Sequence, residues 1–307
     1  HMSSIVSSHS PDAVSRAISV LNGGGLVGLP TETVYGLAAR ADNDDAVAKI
    51  FQAKGRPTGH PLILHISDIS ELDRYAVNVP ASALVLAQQC WPGPLTLLLN
   101  KTSAVSHLVT GGRETVAIRI PANDCALKII EQCGYGLAAP SANTFGHVSP
   151  STAQHVFDDL GDSVDLIIDD GNCSIGVEST IVDFTAHEPQ LLRPGGFPVE
   201  DLEIIIGKQL LMPTGESRAS GMLASHYSPK CKVTLVNSLV EALTVHEAHP
   251  QSRILDHANN SPLYAASLYT QMRQADNDGI GMIIAVLPPK IGLGTAIRDR
   301  LTKASFL

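Results

Sequence analysis

Between residues 26 and 193 the chain breaks into short apolar runs, at 26–29, 62–66, 95–99, 115–120, 136–139, 164–169, 179–184 and 190–193, and turns rich in Gly, Pro, Ser or Asn close most of them. Runs this short are strands rather than helices, and those that are apolar throughout must be covered on both faces. Stretches with the helical period lie before and between them, at 10–21, 80–90 and 151–160, with a further helix that ends at Lys54-Gly55. The alternation predicts an α/β fold, a mixed sheet with helices around it. Beyond residue 207 the texture changes. Residues 207–230 carry Pro213-Thr214-Gly215, Ala219-Ser220-Gly221-Met222 and His226-Tyr227-Ser228-Pro229-Lys230 without a sustained period, and read as a linker. Strands at 232–236, 253–256 and 281–287 then alternate with helices near 238–245, 262–275 and 295–304, which makes a small Rossmann-like βαβαβα unit. The expected division is therefore 1–206, 207–230 and 231–307.

Two glycine clusters carry no ligand signature. Gly23-Gly24-Gly25 lacks a following Gly-Lys-Ser/Thr and reads as a helix stop, and Gly292-Leu293-Gly294 lacks the rest of a dinucleotide fingerprint and reads as a helix start. With 307 residues, 44% hydrophobic and 17% charged, the chain has ample material for a core. No apolar run approaches the roughly 20 residues of a bilayer span, and no basic-then-apolar leader opens the sequence, where His1-Met2 reads as a cloning remnant. A net charge of −9 argues against holding nucleic acid along an extended basic surface, but leaves room for a small anion in a local basic cleft. Five cysteines without a C-x-x-C pair suggest neither a disulfide framework nor a zinc site, and point to a reducing cytoplasm.

Polar groups interrupt the apolar pattern at a few places. Pro30-Thr31-Glu32-Thr33-Val34-Tyr35-Gly36 follows the strand at 26–29. The next helix, with Asp44 as its expected cap, has an apolar stripe at Val47, Ile50 and Phe51 on which Lys54 falls next. Lys54 and Arg56 then stand at the lip of whatever the helix covers, or else the lysine snorkels out beside a solvated arginine. In the strand at 115–120, Ala117 and Arg119 share one side, so Arg119 is either an edge charge in water or a cation aimed across a concave face. Pro140-Ser141-Ala142-Asn143 ends another strand and is followed by Gly146-His147-Val148-Ser149-Pro150; Ser151 and Thr152 read as helix caps.

The first of these motifs, together with Lys54-Gly55-Arg56-Pro57, Pro140-Ser141-Ala142-Asn143, and Val177-Glu178-Ser179-Thr180 followed by Arg193-Pro194-Gly195, resembles the YrdC family, in its longer two-domain members, the threonylcarbamoyl-AMP synthases. Trp91-Pro92-Gly93-Pro94 and His226-Tyr227-Ser228-Pro229 extend the likeness over about residues 10–230. The resemblance implies a twisted mixed sheet around a concave cleft, and a reaction of L-threonine, bicarbonate and ATP that yields threonylcarbamoyl-AMP and pyrophosphate. The product would pass to a downstream threonylcarbamoyl transferase complex that modifies the adenosine beside the tRNA anticodon, so tRNA is a partner only indirectly and no membrane is involved. It also implies a nucleotide side of Lys54, Arg56, Thr115, Ser141, Asn143, Ser149 and Arg193, to which we assign His60, at a position that varies in the family, and Tyr227 of the linker. A threonine side would comprise Thr31, Thr33, His65, Arg119 and Ser179, with Arg119 on the carboxylate. Lys54 and Arg56 would be the catalytic cations, and magnesium would accompany the nucleotide near Ser141 and Asn143.

The C-terminal unit is shorter than the resemblance leads one to expect. Two other classes remain in view: an RNA-binding or ribosome-associated module, disfavoured by the charge and by only 4% aromatic residues, and a carbamoyl-transfer accessory domain of the hydrogenase-maturation kind, whose zinc-finger cysteines and acylphosphatase segment are missing. The linker is a candidate lid, since the product is a mixed anhydride that water destroys; residues 215–228 are expected across the cleft, with His226 or Tyr227 near the nucleotide.

Overall fold

A computed structural model describes residues 4–223 and 226–306; His1-Met2 and, within the linker, Ala224 and Ser225 fall outside the described residues. Its main body is an eleven-stranded mixed sheet in the order Ser4–Ser7, Leu166–Asp169, Val27–Leu29, Gly36–Arg40, Leu137–Ala138, Ile63–His65, Thr115–Arg119, Leu95–Lys101, Thr180–Asp183, Gln190–Arg193, with Ala76–Val77 paired to Leu95–Lys101 off this path. Parallel and antiparallel pairings are mixed along it, with three antiparallel pairings in a row from Val27–Leu29 to Ile63–His65. The helices Ala13–Asn22 and Asp124–Cys133 bury Ala17, Leu21, Ile129 and Ile130 in one apolar cluster with strand residues such as Val27 and Leu137. A second cluster gathers Val47, Ile50 and Phe51 of helix Asp44–Lys54 with Leu86 and Leu97. The mixed α/β expectation holds.

Several local details differ from the sequence reading. The helix Asp44–Lys54 is capped by Asn43, whose side chain accepts the Ala46 N–H at 3.2 Å, leaving Asp44 in the first turn, where its charge suits the helix dipole. Gly55 ends the helix in the left-handed region at φ 63°, and the Arg56 N–H bonds back to the Phe51 carbonyl at 2.9 Å. The strand Gly36–Arg40 was not expected, because Gly-Leu-Ala-Ala shows no period-two alternation when it is buried on both faces. Helices Asp124–Cys133 and Val199–Ile206 were also absent from that reading.

The C-terminal unit is a three-stranded parallel sheet, Lys232–Val236, Met282–Val286, Ser252–Leu255 in spatial order, with helices Leu239–Ala248, Ser261–Asn277 and Leu293–Ala304, which is the expected βαβαβα. It packs directly on the larger body. Val34, Val148, Val177 and Tyr227 share one buried cluster with Tyr264, Leu268, Tyr269 and Ile297. Arg273 donates to both oxygens of Asp159, at 2.7 and 3.1 Å. Gly176, at φ 88°, lies so close to helix Ser261–Asn277 that a Cβ there would meet the Ala265 carbonyl oxygen at 2.5 Å, so only glycine permits this approach. Among the described residues no helix is long and apolar enough to cross a membrane.

Candidate active site

A cavity of about 300 Å³ opens where the strand ends carrying the polar motifs converge. Its lining includes four arginines, Arg56, Arg113, Arg119 and Arg193, against one carboxylate, Glu178, so a chain of net negative charge concentrates positive charge here.

On one side, Thr31 donates to the Val34 carbonyl at 2.6 Å and its hydroxyl lies 2.9 Å from that of Thr33, a turn that brings both residues to the cavity wall. Arg119 is 3% exposed, which resolves its orientation: it faces the cavity, donating to Glu32 Oε1 at 2.8 Å, Thr33 Oγ1 at 3.0 Å and the Gly93 carbonyl at 3.2 Å. His65 sits beside it in the neighbouring strand; burial, and then the Arg119 charge, push its pKa down to about 3, so the ring is neutral at pH 7. Ser179 completes this side, its hydroxyl 2.7 Å from that of Thr96 and accepting from Arg193 at 3.1 Å.

On the other side, Arg193 also donates to the Ser179 carbonyl at 2.9 Å. The Pro194-Gly195 turn lies so close to residues 178–180 that a side chain at 195 would meet their backbone at 2.3–2.4 Å. Arg56 donates to the Pro61 carbonyl at 2.9 Å and lies 5.5 Å from the Phe145 ring centre, while its Nε has no partner among the described residues. Burial lowers its pKa to about 10, which keeps it charged. His60 packs edge-on against Phe145 with centres 5.1 Å apart, and Ser141 completes the wall.

Four residues expected in the cleft do not line it. Lys54, 1% exposed, instead turns its ammonium into the loop after strand Leu137–Ala138, donating to the carbonyls of Ser141 and, at 2.7 Å, of Asn143. A buried ammonium satisfies its donors on the nearest acceptors, and here those are backbone oxygens. The Asn143 amide is committed to the Thr144 and His147 carbonyls, at 2.8 and 3.1 Å. Ser149 is fully buried and donates to Glu178 Oε2 at 2.5 Å. Thr115, at the strand's start, lines a separate open groove with Asp183 and Arg218. Of the two candidate magnesium ligands, then, only Ser141 lies on the cavity wall. Glu178 is already bonded by Arg300, Tyr269 and Ser149, and no group of three or more His, Cys, Asp or Glu side chains suited to a metal occurs among the described residues. This donor set fits only a cation that arrives with its own phosphate ligands.

The linker supplies the remaining wall. Ser217, Ala219, Ser220, Gly221, Leu223, His226 and Tyr227 all line the cavity, and Ser217 and Ser220 accept from Arg113 and Arg193 at 3.2 and 3.4 Å. His226 Nδ1 and the Tyr227 hydroxyl are buried without partners among the described residues, so the wall presents unsatisfied polar groups. Burial also pushes His226 down to about 3.

The sequence reading missed Glu32, Arg113 and Glu178 as site residues, although Glu32 and Glu178 lie inside its motifs. It gave no weight to Arg300 and Tyr269, which reach Glu178 from the C-terminal unit at 2.9 and 2.6 Å. The available signal was a charge at Arg300 between Ile297 and Leu301 on an otherwise inward stripe.

The sequence model described as "Telomere recombination" matches residues 19–195, and that described as "Threonylcarbamoyl-AMP synthase, C-terminal domain" matches residues 197–305, including the part that reads as short. The chain is 39% identical to the threonylcarbamoyl-AMP synthase of Pyrococcus abyssi, over 94% of this chain and 93% of that one. It is likewise 39% identical to the Bacillus subtilis threonylcarbamoyl-AMP synthase, over 95% and 92%. The crystal structure of P. abyssi Sua5 complexed with L-threonine superposes with a TM-score of 0.90 at 38% identity, covering 95% of this chain and 94% of that one. With both sequence models matched and these relatives aligned along nearly their whole length, the chain belongs to the two-domain threonylcarbamoyl-AMP synthase family of the Sua5/YrdC type.

Proposed function

We propose that this chain makes threonylcarbamoyl-AMP from L-threonine, bicarbonate and ATP, with release of pyrophosphate. The observation that carries the proposal is the cavity with four arginines and one compensated carboxylate, in a chain of net charge −9. Threonine's amine and bicarbonate form a carbamate with loss of water; a carbamate oxygen attacks the α-phosphorus, and the bond to pyrophosphate breaks. All participants are anionic, so the protein's work is positioning and charge neutralisation.

Arg119, with three of its five donors used among the described residues, pairs with the threonine carboxylate, and Thr31, Thr33, neutral His65 and Ser179 surround the rest of the amino acid. Arg56 and Arg193 hold phosphate oxygens, with His60, Ser141 and Tyr227 around the nucleotide. Lys54, Asn143 and Ser149 act one layer back by fixing the loops that carry Ser141 and Glu178. Magnesium enters with the triphosphate, where it would shield phosphate charge, with Ser141 as the protein's nearest oxygen donor. Residues 1–206 form the catalytic body, 207–230 the segment that closes over it, and 231–307 the unit that supports it. The product passes to a threonylcarbamoyl transferase complex in the cytoplasm that modifies tRNA. The cations line a cavity rather than an open strip, which favours this reading over an RNA-binding module. The test is pyrophosphate release from ATP: it should require threonine and bicarbonate together, and release that ignored either one would refute the proposal.

A further inference from the structure

The reaction leaves Glu178 without an evident task. It is the one carboxylate among the described residues lining a cavity suited to anions, and it is only 5% exposed. Uncompensated, it would repel a triphosphate and a carboxylate alike. Its compensation comes from the far end of the chain. Arg300, fully buried, donates through Nε to Glu178 Oε1 at 2.9 Å, and Tyr269 donates to the same oxygen at 2.6 Å. The same guanidinium donates to the Pro194 carbonyl at 2.8 Å, beside Arg193, and its centre lies 5.0 Å from the middle of the Tyr227 ring. One turn further along the helix, Lys303 donates to the Gly221 carbonyl of the linker.

We infer that Arg300 is a positioning residue of the reaction: by holding Glu178, the Pro194 turn and Tyr227 together, it sets Ser179, Arg193 and the linker in their places on the cavity wall, so that the C-terminal unit completes the active site. The inference rests on the reading of the cavity given above. A lysine at 300 would keep the charge but could not serve a carboxylate, a carbonyl and an aromatic face at once, because those contacts use the planar fork of the guanidinium. Arg273 provides the contrast. It is a second buried arginine joining the C-terminal unit to the larger body, through Asp159 and the Val148 carbonyl, and it does not line the cavity.

The experiment uses the full chain as wild type, Arg300→Lys, Arg300→Met and Arg273→Met, with pyrophosphate release measured while threonine and ATP are varied in turn, and with a thermal midpoint for each protein. Both Arg300 variants should raise the KM for threonine, ATP or both about tenfold, the scale of one lost charge-assisted contact, at temperatures where they are folded. Arg273→Met should lower the midpoint and leave both KM values near wild type. Unchanged KM values in the Arg300 variants, a rise matched by Arg273→Met, or failure of both Arg300 variants to fold would each overturn the inference and make Arg300 a docking residue. If wild type released no pyrophosphate in response to threonine and bicarbonate together, the functional reading would fail first and take the inference with it.

Discussion

Arg119, on the cavity wall, meets Glu32 behind it at 2.8 Å, and the second oxygen of the same carboxylate accepts the Ala122 N–H at 2.8 Å. Glu32 thus fixes the guanidinium by one oxygen and the chain just beyond the Arg119 strand by the other. A substrate carboxylate arriving at Arg119 meets a cation that is already oriented.

This pairing shapes the effect of mutating Arg119. Arg119→Ala strands a buried Glu32, and breaking a buried pair costs roughly 3–5 kcal/mol, so the thermal midpoint should fall together with activity. Arg119→Lys keeps the charge and is the cleaner probe: its KM for threonine should rise more than its KM for ATP. Equal rises would argue against a carboxylate contact.

Arg56 and Lys54, adjacent in the motif, should behave differently. Arg56→Ala should lower ATP affinity by one to two decades, in line with a charge-assisted phosphate contact of about 1.5–3 kcal/mol, with little loss of stability. Lys54→Ala removes the donor to the Ser141 and Asn143 carbonyls and should lower both the unfolding midpoint and ATP use. A Lys54→Ala protein as stable as wild type would contradict the loop-fixing role.

Acid should destabilise the protein through buried histidines. His65 and His226 are pushed down to about 3 and His155 to about 4, each chiefly by burial. Because these folded-state values lie below the unfolded value, the unfolded chain takes up protons first, and stability falls as pH drops below about 6.5 toward those values. Each histidine contributes a slope of up to about 1.4 kcal/mol per pH unit. Glu178, held at about 2 despite burial by Arg300 and Arg193, adds a further loss below the ordinary carboxylate range. Urea unfolding at pH 7, 6 and 5 checks this, and His226→Gln should flatten the curve by its share; a level profile would exclude it.

Gly221, at φ 78°, lies where a Cβ would come within 2.1 Å of the Tyr227 hydroxyl and 2.7 Å of Arg193 Cδ. Gly221→Ala should displace one of these side chains and cut pyrophosphate release severalfold while secondary structure, followed by circular dichroism, stays intact. Wild-type turnover would show that this wall tolerates rearrangement.

The linker wall should tighten around its ligands. Protease cleavage within 215–223 is expected to slow when ATP and threonine are both present, with mass spectrometry locating the cuts. Equal rates with and without them would leave the segment a fixed wall rather than a closing one.

Periodicity settled most of the framework from sequence alone, because local chemistry encodes it: strand 190–193 was read at its observed bounds, the βαβαβα unit was recognised element by element, and Gly55 marked its helix end through a conformation that glycine adopts without penalty. The resemblance likewise assigned Arg56, Arg119, Ser179 and Arg193 to one cleft, and all four line one cavity. Tertiary structure decided where charge points. Nothing local shows that Lys54 turns onto two carbonyls while Arg56, two residues on at the same helix end, stays on the cavity wall with its Nε unpartnered among the described residues. Nor could spacing show that Arg300 compensates Glu178 from 122 residues away, because such a pairing depends on how two separately formed units dock. Burial makes these choices binding: a charge removed from water must find its partner in the fold, wherever along the chain that partner lies.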